Sequence, residues 1–417
     1  MNQRELKDRI KRMVPRTLLA VMHRTVDSAR GKKIAGMSHV PFDRETCPYP
    51  FGINLAGYFR LESGLGQSCR LIAKTIEAAG IPHAFIDIDP AGIGGKDASY
   101  EKELGKTYPY SINLLSVNMG DLPRFLKMEG DGMLGGHYNI AFWLWELAEF
   151  PREWVDYCTL FDEIWTPSEF VSEAVRRVTD KKVFTIPYPV EAPYEKNLGR
   201  AHFNLPEDRF LVLTMYDFYS VSERKNPLGA IRAFKEAFQP GEKVGLVIKI
   251  NHPDPASQQA LLSELSGYKV YFVEGLRPKE EVNALLQCVD VFVSLHRGEG
   301  FGLVLAEAML LGTVTVATNY SANTEFQDQN SACLVDYTLV PIEKEYWPYR
   351  KGALWADPDL HAASQMLRRL FCDQAYYESV QKSGIAYAKA KLSLERAKGL
   401  LLDRVSAIVP GAPLMGE

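Results

Sequence analysis

Ser294-Leu-His-Arg-Gly-Glu-Gly-Phe-Gly-Leu-Val-Leu-Ala-Glu-Ala-Met309 joins an apolar run to a helical one through Gly298, Gly300 and Gly302. Val289 to Leu295 reads as a strand, and Leu303 to Leu311 reads as a helix. A strand that turns through glycines into a helix leaves the first N–H groups of that helix without intrahelical partners. Those amides can hold an anion. Two acids stand eight positions apart, Glu299 in the turn and Glu307 in the helix. A carboxylate in either position can accept O–H bonds from a vicinal diol, one per oxygen. The stretch therefore predicts an anion site beside a hydroxyl-accepting one, on an α/β fold.

Working outward, the same alternation recurs on both sides. Before it lie apolar runs at Phe210–Met215, Val244–Ile250 and Val270–Glu274, with helical stretches at Pro227–Ala237 and from Lys279 to about Gln287. After it come a strand at Val314–Ala317 and a largely helical tail from His361 to about Val405. The first half has the same rhythm, with strands at Ile53–Tyr58, Ala84–Ile88, Ser111–Val117, Tyr138–Trp143, Glu163–Thr166 and Lys182–Ile186. A helix from Ser68 to Ala79 ends at Gly80, and Ser168 caps another that runs through Arg177. The Pro-rich connector Pro187-Tyr-Pro-Val-Glu-Ala-Pro193 separates the halves. Two βα halves of this kind make parallel sheets with ligand chemistry at the carboxyl ends of their strands, in a central cleft.

The glutamate-bearing stretch resembles the Glu-x7-Glu signature of family 4 retaining glycosyltransferases, and the sequence from Gly312 through Glu325 continues the likeness. The resemblance implies a GT-B fold: two Rossmann-like domains facing a cleft. It places Glu299 by the hydroxyls of a donor sugar and Glu307 on the nucleotide ribose. The amides of Phe301, Gly302 and Leu303, following Gly300, lie by the donor sugar and phosphates. His296, just before the signature, reads as a donor contact or as a packed strand-end residue, the contact being preferred. The family takes sugar from UDP-, GDP-, ADP- or dTDP-sugars by front-side attack, so no carboxylate nucleophile and no metal cofactor are expected.

A leaving diphosphate needs a basic partner, because breaking the glycosidic bond deposits charge on it. Arg224-Lys225-Asn226 follows the first strand of the second half and resembles the family's Arg…Lys pair. The family's arginine lies several residues upstream of the lysine, where this chain has Asp217-Phe218. Lys225 is thus the firmer candidate, with Arg224 as a substitute and Lys249, at a strand's carboxyl end, as a second cation. In the first half, Glu62-Ser-Gly-Leu-Gly-Gln-Ser68 resembles the family's glycine loop, which puts Gly64 and Gly66 opposite the donor phosphates. A dinucleotide fingerprint would need a glycine where Cys69 stands. Where many family members carry a histidine near the reaction centre, this chain has Trp145-Glu146, with His137 before the strand. Glu146 is accordingly the candidate acceptor-binding or base residue. Asp87-Ile-Asp89 spells the DxD string of metal-using GT-A enzymes, but it ends a strand in a two-half chain that does not need it. Asp357-Pro-Asp359 reads as a helix-start turn, with Pro358 near the first helical turn.

The 417 residues are too many for one ordinary core. With 46% hydrophobic and 24% charged residues the chain reads as a well-packed soluble protein. A net charge of −4 supplies no global basic field, so nucleic acid is not an expected partner. Cys47, Cys69, Cys158, Cys288, Cys333 and Cys372 are scattered, without metal-ligand spacing, and read as free thiols of a cytosolic protein. Residues 1–33 carry ten basic residues against three acidic ones, with apolar positions at roughly helical spacing. Such a segment can lie on an anionic membrane surface or pack on the domain. A peripheral position would suit a lipid-linked acceptor. The expected divisions are a basic N-terminal segment 1–45, an acceptor-side domain 46–188, a donor-binding domain 189–380, and a helical segment 381–417 able to pack back on the first domain. The competing expectations are a non-catalytic nucleotide-sugar-binding protein, which would be expected to lack the glutamates, and a GT-B-fold epimerase.

Overall fold

The computed structural model describes residues 16–90, 92, 95–217, 221–252, 259 and 262–411. Two parallel sheets carry the molecule. The first has seven strands: β1 (Ile53–Gly57), β2 (His83–Asp87), β3 (Leu104–Gly105), β4 (Ile112–Ser116), β5 (Tyr138–Phe142), β6 (Glu163–Thr166) and β7 (Lys182–Thr185), in the order β3-β2-β1-β4-β5-β6-β7. The second has six: β8 (Phe210–Asp217), β9 (Val244–Asn251), β10 (Val270–Glu274), β11 (Val291–Ser294), β12 (Val314–Thr318) and β13 (Cys333–Val335), in the order β10-β9-β8-β11-β12-β13. In each sheet the strand order reverses beside the first strand, between β1 and β4 and between β8 and β11. An open parallel sheet has its ligand crevice at that point, beyond the strands' carboxyl ends.

Burial on both faces explains why these strands read as near-continuous apolar runs. Every residue of β1 and β4 is buried. Asn54, Asn113 and Asn139 are polar exceptions aligned across β1, β4 and β5. Asn54 donates to Asn113 and Asn113 to Asn139, each at 2.9 Å, so the row satisfies itself inside the core.

The helices come from amphipathic stretches between strands. In the first domain they are α1 (Arg16–Ala35), α2 (Gly64–Ala78), α3 (Leu122–Glu129) and α4 (Glu169–Arg176). In the second they are α5 (Pro227–Ala237), α6 (Lys279–Cys288) and α7 (Leu303–Leu311), followed by α8 (Leu360–Cys372), α9 (Gln374–Lys391) and α10 (Leu394–Ile408). Ser168 caps α4 by accepting from the Val171 amide, as the sequence predicts. α2 begins earlier than expected, at Gly64, because Ser63 caps it and draws both glycines into its first turn. Pro358 ends a strand rather than opening a helix. Asp359 is the cap of α8, accepting from the Ala362 amide.

Two features escape the periodicity reading. A 3-10 stretch covers Arg152–Leu160. An antiparallel hairpin, β14 (Tyr337–Pro341) with β15 (Leu354–Pro358), stands apart from both sheets. The chain also returns to the first domain at its end: α10 packs on α2, and the Arg404 guanidinium grips Glu163 at 2.9 Å. At the amino end, α1 packs across Arg152–Leu160, and Arg24 pairs with Glu153 at 3.3 Å. Residues 1–15 of the basic segment lie outside the described residues. No described helix is long and apolar enough to cross a membrane.

Candidate functional site

The two crevices face each other, and the cleft between them holds two adjoining cavities. One, of about 490 Å³, runs from Gly64 and Glu146 of the first domain to Arg224, Lys225, Glu299 and Gly300 of the second. The other, of about 560 Å³, has a mixed lining in which Arg70, Lys96, Lys225, Lys249, Arg277 and Lys279 outnumber Glu62, Asp97, Asp217 and Glu280. Gly64, Met215, Lys225, Leu303 and Val304 line both, so the two form one continuous trough.

Glu299 is the centre of the first cavity. Lys225 Nζ reaches its Oε1 at 2.5 Å and Arg224 Nη1 at 3.3 Å. Burial alone would raise this carboxyl, but Lys225 and Arg224 outweigh it and hold the pKa down to about 2. Asn226 sits in the left-handed region at φ 52° and caps α5, which directs Arg224 inward and Lys225 toward the cleft. Arg224 is buried, donates to the Gly298 carbonyl at 2.6 Å and stands 3.8 Å from Glu146.

The turn's glycines have a second reason to be glycine. A Cβ on Gly298 would lie 2.2 Å from the Glu146 carbonyl, and one on Gly300 would lie 2.7 Å from that of Trp145. Ser168 also donates to the Gly300 carbonyl at 2.9 Å across the domains. Gly302, at φ 95°, opens α7, and no side chain caps it. The first amides of α7 are therefore available at the cleft, where Gly300, Phe301, Gly302 and Leu303 all line the cavity.

The other expected residues divide. Gly64 lines both cavities, and nothing lies within 4 Å of where its Cβ would be. Gly66 does not face the cleft: a Cβ there would meet the Leu61 carbonyl at 1.9 Å, so it serves the close packing of the turn. His296 is likewise no lining residue. It is fully buried beneath the turn, and burial takes its pKa down to about 4. Lys249 lines the second cavity rather than the first, donating to the Gly275 carbonyl at 3.2 Å. Burial lowers its pKa to about 8.

Glu307 is completely buried and lines neither cavity. Burial raises its pKa against the pull of Lys279, which donates to Oε2. Its Oε1 has no hydrogen-bond partner. Glu146 lines the first cavity, and its Oε2 accepts from Tyr349 at 3.0 Å. His137 lies away from this group, stacked on Tyr49. Asp87 is taken up by Arg60, whose backbone amide and guanidinium bond it at 3.0 and 3.1 Å.

Two residues escaped the sequence reading. Tyr188 packs on Phe301 at 4.5 Å and accepts from Ser68 at 3.1 Å. Its position inside the Pro-rich connector was the available signal. Tyr349 lies in a stretch with neither period, and no sequence signal pointed to it.

The profile described as "Glycosyl transferases group 1" matches residues 197–337, the second domain up to the start of the hairpin. No curated protein sequence matches the chain. Among solved structures, a glycosyltransferase from Rickettsia africae is similar with a TM-score of 0.64 at 13% identity, over 87% of this chain and 99% of that one. HepE from Anabaena, in complex with UDP and glucose, gives 0.61 at 13% identity, over 85% and 99%. Sucrose-phosphate synthase from Thermosynechococcus elongatus gives 0.61 at 17% identity, over 86% and 100%. The chain therefore has the GT-B fold, and the match across its second domain supports a glycosyltransferase.

Proposed function

We propose that this protein is a retaining glycosyltransferase that moves a hexose-type sugar from a nucleotide-diphosphate sugar to a hydroxyl acceptor, in the assembly of a surface polysaccharide or glycolipid. One observation carries the reading: Lys225 and Arg224 converge on Glu299 beside the uncapped amino end of α7. As the glycosidic bond breaks, negative charge builds on the departing diphosphate. Lys225 and the first amides of α7 are preorganised to receive it. Glu299, ionised and held by two cations, is an acceptor for the donor sugar's hydroxyls and a poor nucleophile. That supports retention by front-side attack, with the leaving phosphate taking the acceptor's proton.

The second cavity, whose lining carries more basic than acidic side chains, suits the nucleotide. Glu307 Oε1, buried beside Lys279 and unpartnered, is the type of acceptor that a ribose hydroxyl would satisfy on displacing Lys279, which lines the second cavity. Leaving it unsatisfied costs about 1–3 kcal/mol. In this reading protein cations stabilise the leaving group, no metal is required, and turnover persists in EDTA. Loss of turnover there, restored by a divalent ion, would refute that part.

A thermal-shift panel of UDP, GDP, ADP and dTDP tests the donor class. A ligand at a hundred times its Kd stabilises by about 2.7 kcal/mol. No shift with any of them would overturn the reading. A non-catalytic binder would show the shift but release no nucleotide from the corresponding sugar donor.

A membrane-facing position is supported by a groove between α1 and α3. Arg30, Lys33, Arg124 and Lys127 surround its apolar floor of Ile34, Met37 and Leu126. Met22, Val26 and Met128 stand exposed on the same two helices. Mixed basic and apolar surface of this kind binds anionic bilayers. Sedimentation with phosphatidylglycerol vesicles, and its loss in the R124E/K127E variant, is the expected outcome; binding unchanged by that variant argues against it.

A further inference from the structure

The hairpin β14–β15 lies almost wholly beyond the part of the chain that matches the glycosyltransferase profile. Its loop, residues 342–353, crosses from the second domain to the first. The hairpin's base rests on the glutamate turn: the Ala356 amide donates to the Arg297 carbonyl at 3.0 Å, and Arg297 pairs with Asp357 at 2.7 Å. Its tip grips the first domain. Glu345 pairs with Arg24, Arg350 donates to Glu153 at 2.6 Å, and Trp347 packs edge-on against Trp154.

Between those anchors the loop buries Tyr349 against Glu146, which lines the first cavity. Tyr349 packs against Trp145 at 5.5 Å and under the Arg224 guanidinium at 5.9 Å. Its hydroxyl donates to Glu146 Oε2 at 3.0 Å. Glu146 is thus held between a neutral donor on one oxygen and Arg224, 3.8 Å from the other. That second distance is too long for a hydrogen bond. Without the phenol, the carboxylate would be free to turn fully onto Arg224, which now serves Glu299 and the Gly298 carbonyl.

We propose that Tyr349 is a positioning residue for sugar transfer: by holding Glu146 off Arg224, it keeps that carboxylate presented to the attacking hydroxyl, whether an acceptor's or water's. This rests on the glycosyltransferase reading above. In that setting Glu146 orients the incoming O–H, while the donor is held by Lys225, Glu299 and α7, and Tyr349 borders that group through Arg224.

The test is slow hydrolysis of UDP-, GDP-, ADP- or dTDP-glucose by wild type, Y349F, E146Q and the double variant, with nucleotide-diphosphate affinity measured alongside. Y349F should lose about 10-fold or more in kcat, with Kd for the nucleotide diphosphate changed less than about twofold. The double variant should be no slower than E146Q, because both changes disable one device. Equal kcat in Y349F and wild type, or losses that multiply in the double variant, would overturn the proposal alone. A wild type that binds no nucleotide overturns the underlying reading and the proposal together. If Y349F lowers thermal stability, the coupling to E146Q still decides, since a purely structural role would slow the double variant beyond E146Q.

Discussion

The molecule has two glycine turns, each leading from a strand to a helix beside its sheet's switch point, and they have opposite uses. In the first, Ser63 caps α2 by accepting from the Gly66 amide, so the helix satisfies part of its own amino end. Gly64 is left with open space around it. In the second, no side chain caps α7, and the free amides lie beside Lys225 and Glu299. Gly298 and Gly300 are needed there because the other domain's backbone comes within about 2–3 Å of where a Cβ would stand. One turn is a smooth wall; the other is both anion site and domain contact. Similar sequence texture, glycines between a strand and a helix, therefore does not fix the role. The cap and the neighbours do.

That contrast can be broken in graded steps. E299Q should produce the largest effect, lowering kcat by about 100- to 1,000-fold while nucleotide-diphosphate affinity stays within a fewfold. Steady-state turnover with isothermal binding separates the two. G298A comes next. Its Cβ cannot coexist with the Glu146 carbonyl, so the domain faces must shift, and a displacement near 1 Å lowers kcat/KM by about 100-fold. Wild-type kinetics in G298A would mean that the contact between domains is irrelevant to turnover.

Lys249 offers a pH test of the second cavity. With its pKa lowered to about 8, it sheds its proton as pH rises through that value, removing positive charge from the trough. The donor KM should rise several-fold between pH 7 and pH 9, and K249M should raise KM at pH 7 and flatten the profile. A profile as steep in K249M as in wild type would reassign the effect. G64A should be the mildest change, with melting temperature unaltered and the donor KM raised about twofold, because the space there is open. An effect of G64A as large as that of G298A would erase the distinction between the turns.

Much of this was legible in the chain. Parallel strands buried on both faces announce themselves as short apolar runs, and Glu163–Thr166, Val270–Glu274, Pro227–Ala237 and Leu303–Leu311 fall where periodicity puts them. Lys225, Glu299 and the glycines between the latter and α7 were readable because each is local to one turn. Gly66 and His296 line neither cavity, and spacing cannot tell a residue facing a cleft from one packed behind it. Glu307 was readable as a buried acceptor only once Lys279, far away in sequence, was seen to occupy one of its oxygens. The hairpin was invisible because Ile342 to Ala353 has no period, and Tyr349 acts through contacts with Glu146 and Arg224, both more than a hundred residues distant.

The return of α10 to the first domain has a mechanical meaning. The backbone passes between the domains at the Pro-rich connector and again just before α10, and the two passages are laced together where the Val190 amide meets the Leu392 carbonyl at 3.0 Å. Two bodies joined at two adjacent places can swing like a door but cannot slide or come apart. A swing between the domains would turn about those passages, and the hairpin loop, which grips the first domain at Glu153, would oppose it. A crosslink between that loop and the first domain is expected to slow turnover more than nucleotide-diphosphate binding, read by steady-state rates beside a binding isotherm.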